Sequence, residues 1–158
     1  MGVITYDMEV PCSIPPARVF KASVLDADTL IPKIMPQAMK SVETLEGDGG
    51  AGTIKLITLG EGYAYKTLKH RVDAIDKENF TYSSSVIDGA ELMDKFESIS
   101  YHTKIVPGPN GGSIYKIRSI YETKGDAQVT EEEIKSGKEA ASVLFKALEA
   151  YLLANPDA

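Results

Sequence analysis

The sequence predicts an α+β domain in which one long helix lies across a curved antiparallel sheet. Two observations carry this. From Lys40 to Thr123 the chain reads as strand after strand, with short connections rich in Gly, Asp, Asn and Pro, as antiparallel hairpins require. The segment Thr130–Leu153, TEEEIKSGKEAASVLFKALEAYLL, then forms the longest uninterrupted helical pattern in the chain. With 158 residues, 43 % apolar and 25 % charged, the chain reads as one globular domain, 1–158, large enough for a real core.

In chain order, Val3–Val10 alternates Ile4, Tyr6, Met8 and Val10 against Thr5, Asp7 and Glu9, the pattern of a half-buried strand. Ser13-Ile-Pro-Pro opens a short helix, because proline suits a first turn that needs no N–H. Asp26 and Asp28 separate it from a second short helix, which Pro32 and Pro36 bring to a stop. Two short helices broken by an acidic corner make a V. The strands that follow are Ser41–Glu46, Thr53–Leu59, Tyr63–Ile75, Asn79–Ile87, Lys95–Val106 and Ser113–Glu122.

The last helix starts on a capping box, Thr130 with Glu133, and ends before Asn155-Pro156. At roughly 1.5 Å per residue it is about 36 Å long, enough to cross a small domain. Its apolar stripe is Ile134, Ala141, Leu144, Phe145, Leu148, Tyr151 and Leu152. Large side chains crowd the second half, whereas the first half offers Gly137, Lys138 and Ala141 to the interior. Such a helix packs at one end and leaves room at the other. Gly137 costs about 1 kcal/mol of helix stability relative to alanine, which points either to volume kept free or to close helix–sheet packing.

Strand parity identifies the side chains that face this helix. They are Lys55, Ile57 and Leu59; Phe80, Tyr82, Ser84 and Val86; and Tyr115, Ile117, Ser119 and Tyr121. In Tyr63–Ile75, Tyr65 and Thr67 suit the inside early and His70 and Val72 later, so a bulge near Leu68 is expected. Lys95–Val106 slips in the same way, with Phe96 first and then Ile99, Tyr101, Thr103 and Ile105. Buried tyrosines, serines, a histidine and a lysine need partners. Either they bond one another, or they line a wet cavity that takes a polar-edged, ring-bearing ligand.

Other function classes are disfavoured. A net charge of −6 and a pI near 5.0 oppose binding to a phosphate backbone. The single cysteine, Cys12, permits no internal disulfide and nothing nearby activates its thiolate. Without an apolar leader or any long apolar run the chain reads as cytosolic and soluble, with no membrane partner. MGVITYD departs from a myristoylation signal at Tyr6. EGDGGAGT, Glu46–Thr53, lacks the Gly-Lys-Ser/Thr and the following helix of a phosphate loop, and reads as a hairpin tip. The two histidines point apart by parity, His70 inward and His102 outward, so they form no acid–base pair. His70 is either a ligand contact or a satisfied structural histidine. Neither a Ser-His-Asp set nor a metal-ligand cluster occurs at usable spacing, and no cofactor is implied. Glu149 reads as an exposed glutamate beside a core tyrosine, Tyr151.

GVITYD, SIPPARVFKA, LDAD, PKIMPQA, EGDGGAGTIK, VDAIDKENFTYS and KSGKEAASVLFKALEAYLLANPDA together resemble the plant pathogenesis-related class-ten family, that of the birch major pollen allergen and its food-allergen relatives. The resemblance spans the whole chain, with Ala51 standing where proline is common. It implies the helix-grip fold: a seven-stranded antiparallel sheet wrapped around the C-terminal helix, two short helices in a V, and a large internal cavity. It implies intracellular binding, storage or transport of brassinosteroids, cytokinins, flavonoids or fatty acids, linked to defence, by a monomer. Antibodies are further partners where a member is an allergen. The family's steroid-contact pattern falls on Lys55, Tyr82, Ser84 and Tyr101; Ser84 stands where tyrosine is frequent and Tyr101 where a smaller polar residue is. Some relatives are abscisic-acid receptors that inhibit phosphatases, but their gate and latch loops find no match here. In relatives that condense alkaloids an inward lysine stands about where Tyr121 and Glu122 are found. The alternative function is a ribonuclease, for which the resemblance implies the glycine-rich loop with Glu97, Glu149 and Tyr151.

Overall fold

The computed structural model of the chain describes residues 2–60, 66–89, 95–125 and 131–156, without the side chains of 131, 133, 134 and 136–138. The expected cap at Thr130, the inward placement of Tyr65 and the surroundings of Gly137 and Lys138 lie outside the described residues.

The elements follow the sequence pattern closely. Strand β1 is Val3–Cys12, helix α1 is Pro16–Phe20, continued by a π-turn over Lys21–Leu25, and α2 is Ala27–Ile34. Strands β2 (Met39–Glu46), β3 (Ile54–Leu59), β4 (Thr67–Asp76), β5 (Thr81–Asp88), β6 (Phe96–Pro107) and β7 (Ser113–Thr123) precede the long helix α3, Glu131–Ala154. The strands form a seven-stranded sheet in the order β1-β7-β6-β5-β4-β3-β2, antiparallel at every junction. This is the helix-grip arrangement.

The inner face is set by register. Tyr6 lies opposite Ser119, Ser119 opposite Tyr101, Tyr101 opposite Ser84 and Ser84 opposite Val72. One row along, Tyr121, Ile99, Val86, His70 and Lys55 are paired in succession. The expected slips are present: the β4–β5 ladder shifts between Lys69 and His70, and the β6–β7 ladder shifts between Phe96 and Ser98; a second β4–β5 shift, between Val72 and Ala74, is unexpected. Each shift bends the sheet locally.

Two expectations are corrected. Pro32 lies inside α2 rather than ending it. Proline's fixed φ suits a helix, and its missing N–H removes a single bond, while the helix still packs on β2 and closes with Met35 N–H on the Ile31 carbonyl at 2.8 Å. Asn79 and Phe80 belong to the β4–β5 turn, Phe80 with φ of 55°, so β5 begins at Thr81, two residues later than expected. The Phe80 ring nevertheless turns inward, 5.5 Å from that of Phe20.

The apolar interior is divided. The larger cluster joins Phe145, Leu148 and Leu152 of α3 to Cys12, Ile14, Val19, Phe20, Ala22, Val24 and Ile105. Fully burying an aliphatic or aromatic side chain stabilises by about 1.5–3 kcal/mol, so this end anchors the helix. The smaller cluster is Val86, Phe96 and Ile99, flanked by Leu68, Tyr101 and Tyr121. Among the described side chains of α3, those of the second half do the packing, and Ala141 is only half-buried. Among the described residues no helix is long and apolar enough to cross a membrane.

Candidate functional site

Hydroxyls and small side chains separate the two clusters on the inner face. Ser84, Thr103 and Ser119 are buried, and they sit on the central strands β5, β6 and β7. Tyrosines border them. The Tyr6 and Tyr121 hydroxyls are 3.1 Å apart, with their rings stacked at 5.7 Å. Tyr101 meets Tyr121 edge-on at 6.3 Å, and Phe96 lies 5.4 Å from Tyr121. Tyr115 packs on Phe145 at 4.6 Å, and its hydroxyl lies near Thr103. Burial raises the pKa of Tyr101, Tyr115 and Tyr121. For Tyr82, burial and the nearby Asp28 carboxylate push it to about 12. All four stay protonated at neutral pH and so can donate. Among the described residues every fully buried side-chain nitrogen or oxygen has a partner.

Beyond this band the inner face becomes charged. Lys55, on β3, places its Nζ 2.9 Å from Asp28 Oδ2 and 3.0 Å from Oδ1, tying the sheet to α2. His70, directly across from Lys55, lies parallel to Tyr101 at 6.3 Å. Burial, reinforced by the Lys55 charge, lowers its pKa to about 4, so the ring is neutral.

The sequence-derived candidates thus come together on one face: Ile57, Phe96 and Ile99 are buried, and Lys55, Leu59, His70, Tyr82, Tyr101, Tyr115, Ile117 and Tyr121 are half-buried. Asp28 and Tyr6 were missed as site residues. Asp28 stood in an acidic corner that gave no sign of a distant lysine. For Tyr6 the signal was present, since it shares its strand face with Ile4 and Met8.

The other candidates part company. Glu149 is not an exposed glutamate: it accepts the Ser13 N–H at 2.9 Å and the Ser13 hydroxyl at 3.3 Å, which holds its carboxyl below the usual range. Tyr151 accepts a bond from Lys33 Nζ at 3.4 Å on the wall of an open groove of about 340 Å³ between α2 and the end of α3. Glu97 is exposed on β6. His102 faces out, its Nδ1 3.0 Å from the Ser83 hydroxyl. Burial pushes the Cys12 thiol up to about 11, the reverse of activation.

The glycine-rich loop uses its own N–H groups. Gly49 donates to Thr53 Oγ1 at 2.9 Å, Gly50 to Asp48 Oδ1 at 3.0 Å and Gly52 to the Val72 carbonyl at 2.7 Å. Gly47, Gly49 and Gly52 have φ of 97°, 100° and 90°, which other residues rarely adopt. This is a tightly folded hairpin tip.

The profile of the Pathogenesis-related protein Bet v 1 family matches residues 1–155. Major strawberry allergen Fra a 1-2 of Fragaria ananassa is 59 % identical over 157 residues, covering 99 % of this chain and 98 % of its own. Major allergen Pru av 1 of Prunus avium is 58 % identical over 158 residues, covering 100 % and 99 %. The crystal structure of Ara h 8.0201 superposes with a TM-score of 0.85 at 39 % identity, covering 98 % of this chain and 100 % of that one. Sequence and fold agree, and the chain belongs to the Pathogenesis-related protein Bet v 1 family.

Proposed function

We propose that this chain, as one domain over 1–158, binds amphipathic, ring-bearing small molecules between the inner face of its sheet and α3. The observation that carries the reading is the division of the interior into two apolar clusters, with buried Ser84, Thr103 and Ser119 between. A dry core would place large aliphatic side chains there. Apolar walls offer area to a ring system, while tyrosine hydroxyls, His70 and Lys55 offer bonds to its polar edge. In this reading Lys55, Ile57, Leu59, Tyr65, His70, Tyr82, Ser84, Phe96, Ile99, Tyr101, Tyr115, Ile117 and Tyr121 contact the ligand, with Gly137, Lys138 and Ala141 from α3. Steroids, cytokinins, flavonoids and fatty acids are the candidate classes. The setting is a cytosolic protein induced in defence, and the allergen relatives make antibodies a further partner.

Displacement of Nile red by a flavonoid, a cytokinin and a steroid tests the reading. A saturable Kd near 1 μM, about −8 kcal/mol, is expected for at least one class. An interior that binds neither dye nor competitor contradicts it. Ribonuclease action would instead show as RNA turnover lost in Glu149→Gln, but Glu149 already holds Ser13, and the two imidazoles stand on opposite faces of the sheet.

A further inference from the structure

The inner face carries an imidazole that the structure leaves without a hydrogen bond. Among the described residues, no side chain or backbone group bonds the His70 ring; its contacts are the parallel Tyr101 ring and the Lys55 charge. Every fully buried side-chain nitrogen among those residues has a partner, so the unbonded ring nitrogens are not completely sealed. Around His70 the facing groups are Lys55 from β3, Val86 and Ser84 from β5, Tyr101 from β6, and Leu68 and Val72 from β4 itself. Asp28 of α2 pairs with Lys55 and also lies near Tyr82. The α3 side chains at 133, 134 and 136–138 lie outside the described residues.

We propose that Lys55 and His70 form a subsite for the carboxylate of a ring-bearing acid, and that the acid binds together with one proton, which His70 takes up. The inference rests on the reading of the inner face as a ligand site. Charge balance carries it, together with the pairing of the two residues across β3 and β4. With the site empty, Asp28 neutralises Lys55 and the imidazole is uncharged. A carboxylate entering alone would leave one uncompensated negative charge in a poorly hydrated interior, which is strongly disfavoured. Protonating His70 restores neutrality, and the carboxylate then accepts bonds from an imidazolium and an ammonium carried by residues paired on neighbouring strands. The same burial that keeps the empty ring neutral makes the change large once an anion is present. A dianion would bring a second negative charge, and no second neutral base among the described neighbours could take up a proton to balance it, so the site suits a monoanion.

Calorimetry on the full chain at pH 6.5 tests this, with 1-naphthylacetate and 1-naphthylacetamide as probes in buffers of low and high ionisation enthalpy. The acid should bind with uptake approaching one proton, since a group with pKa near 4 is almost wholly deprotonated at that pH, and the amide with none. In His70→Gln the proton uptake should vanish and the ratio of acid to amide affinity should fall about tenfold. Lys55→Met should lower the same ratio. Uptake of no proton with the acid, or an unchanged ratio in His70→Gln, overturns the proposal. If Nile red binds but neither naphthyl compound does, the subsite fails and the cavity reading stands. If nothing binds, both fail.

Discussion

Replacing Asp28 by asparagine probes the polar end of the inner face, and the two partners of this ion pair should respond unequally. Lys55 is 13 % exposed and Asp28 34 %. In Asp28→Asn the ammonium stays in place with its counter-charge gone, and little water reaches it. Removing one partner of a fully buried pair costs about 3–5 kcal/mol, whereas exposed pairs contribute about 0–1 kcal/mol. Partial exposure places this variant at about 2 kcal/mol. In Lys55→Met the carboxylate left behind sits in the first turn of α2, where water reaches it and the helix dipole favours it. Methionine also keeps most of the lysine volume, so the cost should stay below about 1 kcal/mol. For a chain of this size 1 kcal/mol shifts Tm by about 2–4 °C, giving a drop of about 4–8 °C for Asp28→Asn. Urea unfolding followed by far-UV circular dichroism measures both, with an unchanged m-value as the control. The double variant should resemble Lys55→Met, with a coupling of about 1 kcal/mol or more. Equal losses in the two single variants would refute the reasoning, because the asymmetry follows directly from the difference in burial.

Phe145→Ala should cost about 3–5 kcal/mol, read from the denaturation midpoint, since Phe145 is 6 % exposed and packs on Tyr115. His70 should make the protein acid-sensitive. Its folded pKa of about 4 lies below the ordinary 6.5, so the unfolded chain binds the proton first, and stability falls as pH drops from 6.5 towards 4. His70→Gln should flatten that limb by up to about 3 kcal/mol, measured as Tm against pH; an unchanged limb would exclude His70 as its source. Gly60→Ala should destabilise by about 3 kcal/mol or more, because a Cβ there would lie 1.8 Å from the Gln37 carbonyl oxygen. Thermal unfolding checks it.

What was legible in the sequence was what repeats locally. Alternation placed Tyr82, Ser84, Tyr101 and Ile117 on one face, and the broken alternation at Phe96–Ile99 and before His70 located two of the register shifts, though not those between Val72 and Ala74 or in the β2–β3 ladder. The uneven stripe of α3 foretold that Phe145, Leu148 and Leu152 would carry the packing. What was missed joins residues far apart in the chain. Nothing near Asp28 signals Lys55, and nothing near Glu149 signals the Ser13 N–H. Pro32 misled because a single missing N–H is a small loss in a short helix that packs on β2. Phe80 misled because its apolar side chain said inward while its backbone had already turned.

The pairing of β1 with β7 bears on how a newly made chain reaches this fold. The ten residues of β1 are synthesised before the other six strands, yet their partner strand is the last of the sheet, and Ser13 meets Glu149 across 136 positions. Arg18 likewise donates to the Leu152 carbonyl at 3.1 Å across 134 positions. At about 5–20 residues per second on the ribosome, β1 waits on the order of 10 s for these partners. In that interval it is an unpaired strand with an apolar face, the kind of segment that seeks another chain. Asp7 and Glu9 interrupt it with like charges and Pro11 removes a donor. In the finished protein Asp7 takes a bond from Arg118 at 2.8 Å and Glu9 lies 3.4 Å from Lys116. The same two carboxylates therefore repel a second nascent strand before folding and select the right neighbour when β7 arrives.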